Sequence, residues 1–334
     1  SGATVAVAVA LHRSCGVGSH RRARWLVLPA VVLAVLFMFP GYRYATGDKD
    51  PGVYVMHAWN MAHTSHLPIQ KTALQMTGAL SSFDNPGSLW RGFQFASSPT
   101  QVMPSFFHMW PAMLGAGFQL LGFGALTVVG PMLGVIGVLL VFALARRLLT
   151  TWHAVLSSLF IAVDMMQVWQ ARYPTSEVLA QVLYLGAALA LLVAVRTKSK
   201  LVACLAGFFA TCEFLVRAEG VLALLIFGGL LALLALRREF RTMVAWAWVG
   251  ALVPLPLAWW QAYGWAAGYA AGVRTPPGRT VLVLLVLEIA VLAIAKFGDP
   301  LCSDGLQPSP QECWRLSTCF ARSPARSQRS ATVS

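Results

Sequence analysis

Ala125-Leu126-Thr127-Val128-Val129-Gly130-Pro131-Met132-Leu133-Gly134-Val135-Ile136-Gly137-Val138-Leu139-Leu140-Val141-Phe142-Ala143-Leu144-Ala145, closed by Arg146-Arg147, is the stretch on which the fold turns. It is uncharged over the ~20 residues a membrane-spanning helix needs. The basic pair that ends it fixes a direction, because Lys and Arg collect on the cytoplasmic side of spans. Just upstream, Pro104 to Gly122 is also apolar enough to span, through Phe106, Phe107, Met109, Trp110, Met113, Leu114, Phe118, Leu120 and Leu121. If that segment crosses, Arg146/Arg147 and every later basic cluster fall outside. If it lies in the interface, Arg146/Arg147, Arg196/Lys198/Lys200, Arg237/Arg238/Arg241 and Lys296 are all cytoplasmic, and this reading is adopted.

The spans are then expected at 24–42, 125–145, 152–171, 178–195, 201–216, 220–236, 243–262 and 280–296, with both termini inside. Composition agrees: 57% hydrophobic, 11% charged and a mean hydropathy of +0.66 describe a polytopic membrane protein rather than a soluble domain. The net charge of +13 does not indicate nucleic acid, because the basic residues interrupt apolar runs and form no stripe with interleaved aromatics. Of the six cysteines, Cys204 and Cys212 share one apolar segment, and Cys302, Cys313 and Cys319 lack metal-ligand spacing. No disulfide framework or zinc site follows. Small residues at Gly130, Gly134, Gly137, Gly228 and Gly229 suit close helix packing in lipid.

Residues 1–24 form a basic cytoplasmic amino terminus, and 25–297 form the transmembrane domain. A cleaved signal peptide with an exit at Ala45-Thr46-Gly47 is the competing reading of the first run; the many later spans favour a retained anchor. Residues 41–124 are a long outer loop with interfacial helices, far longer than structural linkers are. Within it, Asp50 caps and Pro51 begins a helix running to His66, laid on the membrane by Tyr54, His57, Trp59 and Met61. Ser81 to Gly87 is turn material. Residues 298–334 change to Ser, Pro, Arg and Cys and are expected to be disordered, in keeping with a chain shortened at its carboxyl end.

The carboxylates separate by side. Asp48, Asp50, Asp84, Glu177 and Glu219 fall outside, and Asp164, Glu213 and Glu288 fall within spans. Arg172 and Arg217 stand at outer helix ends close to Glu177 and Glu219. Glu213, four residues before Arg217, is expected to pair with it along one helix. Asp164 lies eight residues before Arg172 and is expected to face the same cavity from below; an acid inside a span is functional or paired by default. His57, His63 and His66 are not spaced as a histidine metal site. His108 is a candidate for substrate contact, or for a bond to nearby backbone.

One span followed by Gly47-Asp48-Lys49-Asp50-Pro51-Gly52-Val53-Tyr54-Val55 resembles the GT-C fold glycosyltransferases, in particular bacterial membrane proteins of the protein O-mannosyltransferase and aminoarabinose transferase group. Pro104-Ser105-Phe106-Phe107-His108-Met109-Trp110-Pro111-Ala112, Ala171-Arg172-Tyr173-Pro174-Thr175-Ser176-Glu177 and Arg217-Ala218-Glu219-Gly220 extend the likeness over about residues 20 to 262. The resemblance implies an all-α GT-C-like bundle in the bacterial inner membrane. It also implies inverting transfer of a sugar from a polyprenyl-phosphate carrier, on the outer face, to a hydroxyl of a glycan, lipid or protein acceptor. Asp48 would be the base, with Asp50 a second catalytic acid. Lys49, Arg172 and Arg217 would stabilise the leaving phosphate, and Glu177, Glu219 and His108 would line the substrate. Asp48, Asp50 and Glu177 are oxygen donors suited to Mg2+ or Mn2+. Relatives usually have more spans and often an outer carboxyl-terminal domain. Two other readings remain: a transporter, whose site would lie near the midplane between repeats, and a shortened, inactive scaffold.

Overall fold

The computed structural model describes residues 22–44, 50–70, 93–95, 101–104 and 106–265. Residues 1–21 of the basic amino terminus, the acids Asp48, Asp84 and Glu288, Lys49, the turn at 81–87, the expected span 280–296 and the carboxyl-terminal tail lie outside them.

A 3-10 turn (Arg22–Val27) leads into α1 (Leu28–Met38), with proline in its first turn. α2 (Asp50–Thr64) starts on an acid, favourable against the positive end of the helix, and stops at Ser65, whose φ of 58° is left-handed. β1 (Ile69–Gln70), β2 (Phe93–Phe95) and β3 (Gln101–Pro104) then form an antiparallel sheet in the order β1-β3-β2, registered by Ile69 opposite Val102 and Gln94 opposite Met103. The sheet departs from the all-α expectation. Its alternating Phe-Gln-Phe and Gln-Val-Met segments are too short to announce strands.

α3 (Met109–Leu121) ends at Gly122, whose φ of 54° breaks the chain before α4 (Ala125–Leu148). The 40 residues from Met109 to Leu148 would be ~60 Å long if straight, twice the ~30 Å of a bilayer core. The 24 residues of α4 alone are sufficient. α5 (Thr151–Val163) and α6 (Met165–Arg172) are one apolar path bent by 55° at Asp164. α7 (Glu177–Thr197), α8 (Lys200–Phe214), α9 (Gly220–Ala235), α10 (Arg241–Leu252) and α11 (Leu255–Trp260) complete the bundle, with a 44° bend between the last two.

Two helices are long and apolar enough to cross a membrane, or up to four if each bent pair is one span; α1 and α9 are shorter apolar helices. The expected eight is not reached among the described residues. Lipid contact is written on the surface of α9, where Leu222, Ile226, Leu230 and Leu233 line one exposed side, all more than 45% accessible. Short connections collect the helix ends into two groups. Arg146, Arg147, Arg196, Lys198 and Arg237 lie at one end, where Lys198 reaches Glu239 at 3.6 Å. Tyr42, Tyr173, Glu177 and Arg217 lie at the other, where the Tyr42 amide donates to the Arg172 carbonyl at 2.7 Å.

Two apolar cores hold the bundle. The larger joins α1 to α7 with the 215–216 turn and with Cys212 and Phe214 of α8, Val221 of α9 and Ala258 of α11, and the smaller joins α7 to α10. α8 and α10 meet backbone to backbone: a Cβ on Gly207 would stand 1.8 Å from the Ala247 carbonyl oxygen, and one on Gly250 1.8 Å from that of Cys204. Gly130 and Gly134 of α4 are likewise pressed against Ala171 and Met38, as the small-residue pattern implies, whereas Gly229 faces open space.

α2 corrects one expectation. Its Tyr54 and His57 face packs on protein, beside Phe106 and His108, with Tyr54 7% and His57 0% accessible. The periodicity marks an apolar face; it does not say whether lipid or protein covers it.

Candidate functional site

Arg217 is the centre of the only cluster of opposite charges at its end of the bundle among the described residues. α8 stops at Phe214, a tight turn follows, and α9 starts at Gly220, where a Cβ would lie 2.7 Å from the Phe214 backbone. That turn presents Arg217 and Glu219 two residues apart. Arg217 donates from Nη1 to Glu177 Oε1 at 2.6 Å and from Nε to Glu219 Oε2 at 3.3 Å. Glu177 occupies the first turn of α7, where the helix dipole favours a carboxylate.

Neighbouring elements clamp both segments. The Leu215 carbonyl accepts from the Met109 amide at 3.4 Å and from Gln261 Nε2 at 3.1 Å. Buried Trp110 donates from Nε1 to the Pro174 carbonyl at 3.1 Å. Tyr54 and Ser176 share a hydroxyl–hydroxyl bond of 3.2 Å, and Arg217 Nη1 also reaches Ser176 Oγ at 3.4 Å. Asp50 precedes Tyr54 by one helical turn, ~6 Å along the axis, and is the exposed residue of a first turn whose Pro51, Gly52 and Val53 are buried.

Burial alone would lower the Arg217 pKa. The charge of Glu177 and the hydrogen bond to Glu219 outweigh it and raise it, so the guanidinium stays charged. Burial pushes Glu219 up, but hydrogen bonds from its own backbone amide and from Arg217 prevail and hold it below the usual carboxylate range. The second Glu177 oxygen, Oε2, is buried with no hydrogen-bond partner among the described residues. An acceptor with a vacant lone pair beside a fixed cation can take a proton from a hydroxyl, or ligate a hard cation.

Some expected partnerships change. Arg172 does not join Glu177: it donates from Nε to the Pro40 carbonyl at 3.1 Å and lies 4.4 Å over the Tyr42 ring. Its place at the end of α6 turns it to the chain leaving α1. Glu213 makes no ion pair with Arg217 among the described residues; their link is the Arg217 amide to the Glu213 carbonyl at 3.1 Å. A four-residue spacing brings side chains together only in continuous helix, and the helix has ended at Phe214. Asp164 does not face the cavity. Exposed at the bend, its carboxylate accepts from the Gln167 amide at 2.8 Å and caps α6. His108 is buried, with its ring 4.8 Å from that of His57. Asp48 and Lys49, the first choices for base and phosphate contact, lie outside the described residues. No group of three or more His, Cys, Asp or Glu side chains among the described residues is arranged for a metal.

Sequence reasoning missed the links from Tyr54 to Ser176 and from Trp110 to Pro174. The signal is Tyr54 and His57, three residues apart on one helical face, a pattern that does not distinguish protein from lipid.

Residues 107–263 match the family model described as dolichyl-phosphate-mannose-protein mannosyltransferase. This mannosyltransferase match covers a little under half of the chain and contains Glu177, Arg217 and Glu219 but not Asp48 or Asp50. It supports glycosyltransferase chemistry of the mannosyltransferase type, and with the apolar helices an integral membrane protein. No curated protein gives a significant match to the chain.

Proposed function

We propose that the protein is a membrane glycosyltransferase that moves a sugar from a polyprenyl-phosphate carrier to an acceptor hydroxyl, with inversion, at the bundle end holding Arg217. The observation that carries this reading is Arg217 fixed between Glu177 and Glu219 inside the mannosyltransferase-like segment. The opposite end gathers most of the described basic residues, and with the positive-inside rule this supports a site on the outer face of the bacterial inner membrane, with both termini cytoplasmic.

The acceptor hydroxyl gives its proton to Asp48 as its oxygen attacks the anomeric carbon, and the bond from that carbon to the phosphate oxygen breaks. The carrier leaves as a lipid phosphate bearing the electron pair, which Arg217 and Lys49 stabilise. Arg217 enters this step already paired to two carboxylates, so the described cluster carries a net negative charge and would repel a phosphate unless further positive charge is present. A divalent cation of the Mg2+ or Mn2+ class belongs to this reading: Glu177 Oε2, buried without a hydrogen-bond partner among the described residues, would be one oxygen ligand, and Asp48 and Asp50 would supply the others. Such an ion would offset the charge of the phosphate. Glu177 otherwise holds Arg217 in its rotamer, and Tyr54 holds Ser176 against the pair.

The test is transfer from polyprenyl-phosphate-mannose by purified protein in lipid nanodiscs. Asp48→Asn and Arg217→Gln are each expected to lose on the order of 100-fold or more in turnover. Wild-type turnover by Asp48→Asn refutes the base assignment. Solute uptake into proteoliposomes with no transfer by the wild type refutes the enzyme reading in favour of a transporter.

A further inference from the structure

A groove lies at the same end of the bundle as the Arg217 cluster, built from different residues. Tyr42, Arg43, Tyr44, Trp169 and Tyr173 line an open groove of about 400 Å³, within the roughly 300–1,000 Å³ of small-molecule sites. Its rings converge from two segments. Tyr173 stands at the centre, with Trp169 at 4.7 Å and 30°, Tyr44 at 5.4 Å and 36°, and Tyr42 edge-on at 5.4 Å and 72°. An aromatic belt at a membrane surface spreads its rings around separate helices, whereas these are locked to one another.

The lock is in the backbone. The Tyr42 amide bonds the Arg172 carbonyl, Arg172 Nε bonds the Pro40 carbonyl at 3.1 Å, and the Gly41 amide bonds the Thr127 carbonyl at 3.1 Å. A Cβ on Gly41 would stand 2.5 Å from the Leu126 carbonyl oxygen, so the chain is pressed against the start of α4 at Gly41. The groove is preformed, and a ligand would not have to order it.

Its charge is opposite to that of the Arg217 cluster. Among the described residues no carboxylate lines it; Arg43 is exposed at the rim, and Arg172 sits against the Tyr42 face. Flat aromatic faces pack the apolar C–H face of a pyranose, phenols and guanidinium reach its hydroxyls, and the positive rim draws an anionic substituent.

We propose that this groove binds a pyranose carrying a phosphate or carboxylate. On the glycosyltransferase reading the source is either the sugar-phosphate head of the donor or an acidic sugar of the acceptor; the binding itself does not depend on that reading.

The experiment is saturation-transfer NMR on the full chain in a sugar-free zwitterionic detergent, irradiating aromatic protons and reading sugar ring protons. The probes are mannose 1-phosphate, methyl glucuronide, neutral methyl mannoside and inorganic phosphate. At least one anionic sugar is expected to show saturation, with methyl mannoside roughly three- to five-fold weaker. Mannose 1-phosphate alone assigns the groove to the donor head, and methyl glucuronide alone to an acidic acceptor. Trp169→Ala is expected to weaken binding about five-fold or more. Arg43→Gln, at an exposed position, is expected to bring anionic and neutral sugars level. Arg217→Gln is expected to leave groove binding intact, so loss of transfer in that variant and failure of the groove are separate results. Equal saturation of neutral and anionic sugars, full competition by inorganic phosphate, no saturation at all, or wild-type signals in both groove variants would each overturn the proposal.

Discussion

Acidification from pH 7 to pH 5 is expected to destabilise the protein through the buried histidine pair at the foot of the site. His57 is 0% and His108 5% accessible, their rings meet edge to face at 4.8 Å, and both are held neutral. Burial lowers His108 to about 4; burial, with a contribution from the charge of His108, lowers His57 well below its ordinary value. Both folded-state values lie below the unfolded value of about 6.5, so the unfolded chain takes up protons first as the pH falls. The stability is complete above that value and is lost on descent towards about 4, where the folded His108 also protonates. At ~1.4 kcal/mol per pH unit per group, His108 alone accounts for about 2 kcal/mol between pH 7 and 5. His57 adds a loss of the same sign. Glu219, whose folded value is lowered, contributes its loss only in more acidic solution, so the two effects separate. The assay is thermal unfolding in detergent at pH 7, 6 and 5, comparing wild type with His57→Phe/His108→Phe. A midpoint that falls further, or rises less, between pH 7 and 5 for the wild type than for the variant is expected. Equal slopes would refute the assignment of the acid sensitivity to this pair.

Three further outcomes follow from contacts away from the reacting groups. Gly207→Val is expected to cost about 3 kcal/mol or more, because a Cβ there meets the Ala247 backbone, while Gly229→Ala, facing open space, is neutral or stabilising; denaturation midpoints compare them. Trp110→Phe removes the bond to the Pro174 carbonyl and is expected to cost roughly 1–3 kcal/mol, read from the same midpoints. Asp164→Ala is expected to lower stability by about 1 kcal/mol through loss of the α6 cap and to leave transfer unchanged; a large fall in turnover would restore a role in the site to that acid.

The main helices were legible because an apolar run ended by a basic pair has few physical solutions. α4 and α7 start or end within a few residues of the expected spans. The bends at Asp164 and after Leu252 were not legible, since hydropathy averages over a break and does not register direction. At the site, the sequence brought Glu177, Arg217 and Glu219 to one face through topology alone. It paired Arg172 with Glu177 by nearness in the chain, where the fold sends Arg172 to the segment leaving α1 and Arg217 across to α7. Such exchanges depend on which loop lies beside which, and neither periodicity nor charge count encodes that. Tyr54 was misread for the same reason: an apolar helical face looks alike under lipid and under protein.

The glycine seam between α8 and α10 also makes the site a mechanical extension of a distant joint. Gly207 and Phe214 are separated by ~10 Å of helix, and the Arg217 turn begins where that helix ends. With no side chains interposed to absorb a shift, prying the seam apart by one methyl group tilts α8 as a stiff rod. Its far end then moves by a comparable distance, against a Glu177 bond of only 2.6 Å. Alignment of the charged cluster is therefore set partly by residues that never touch it.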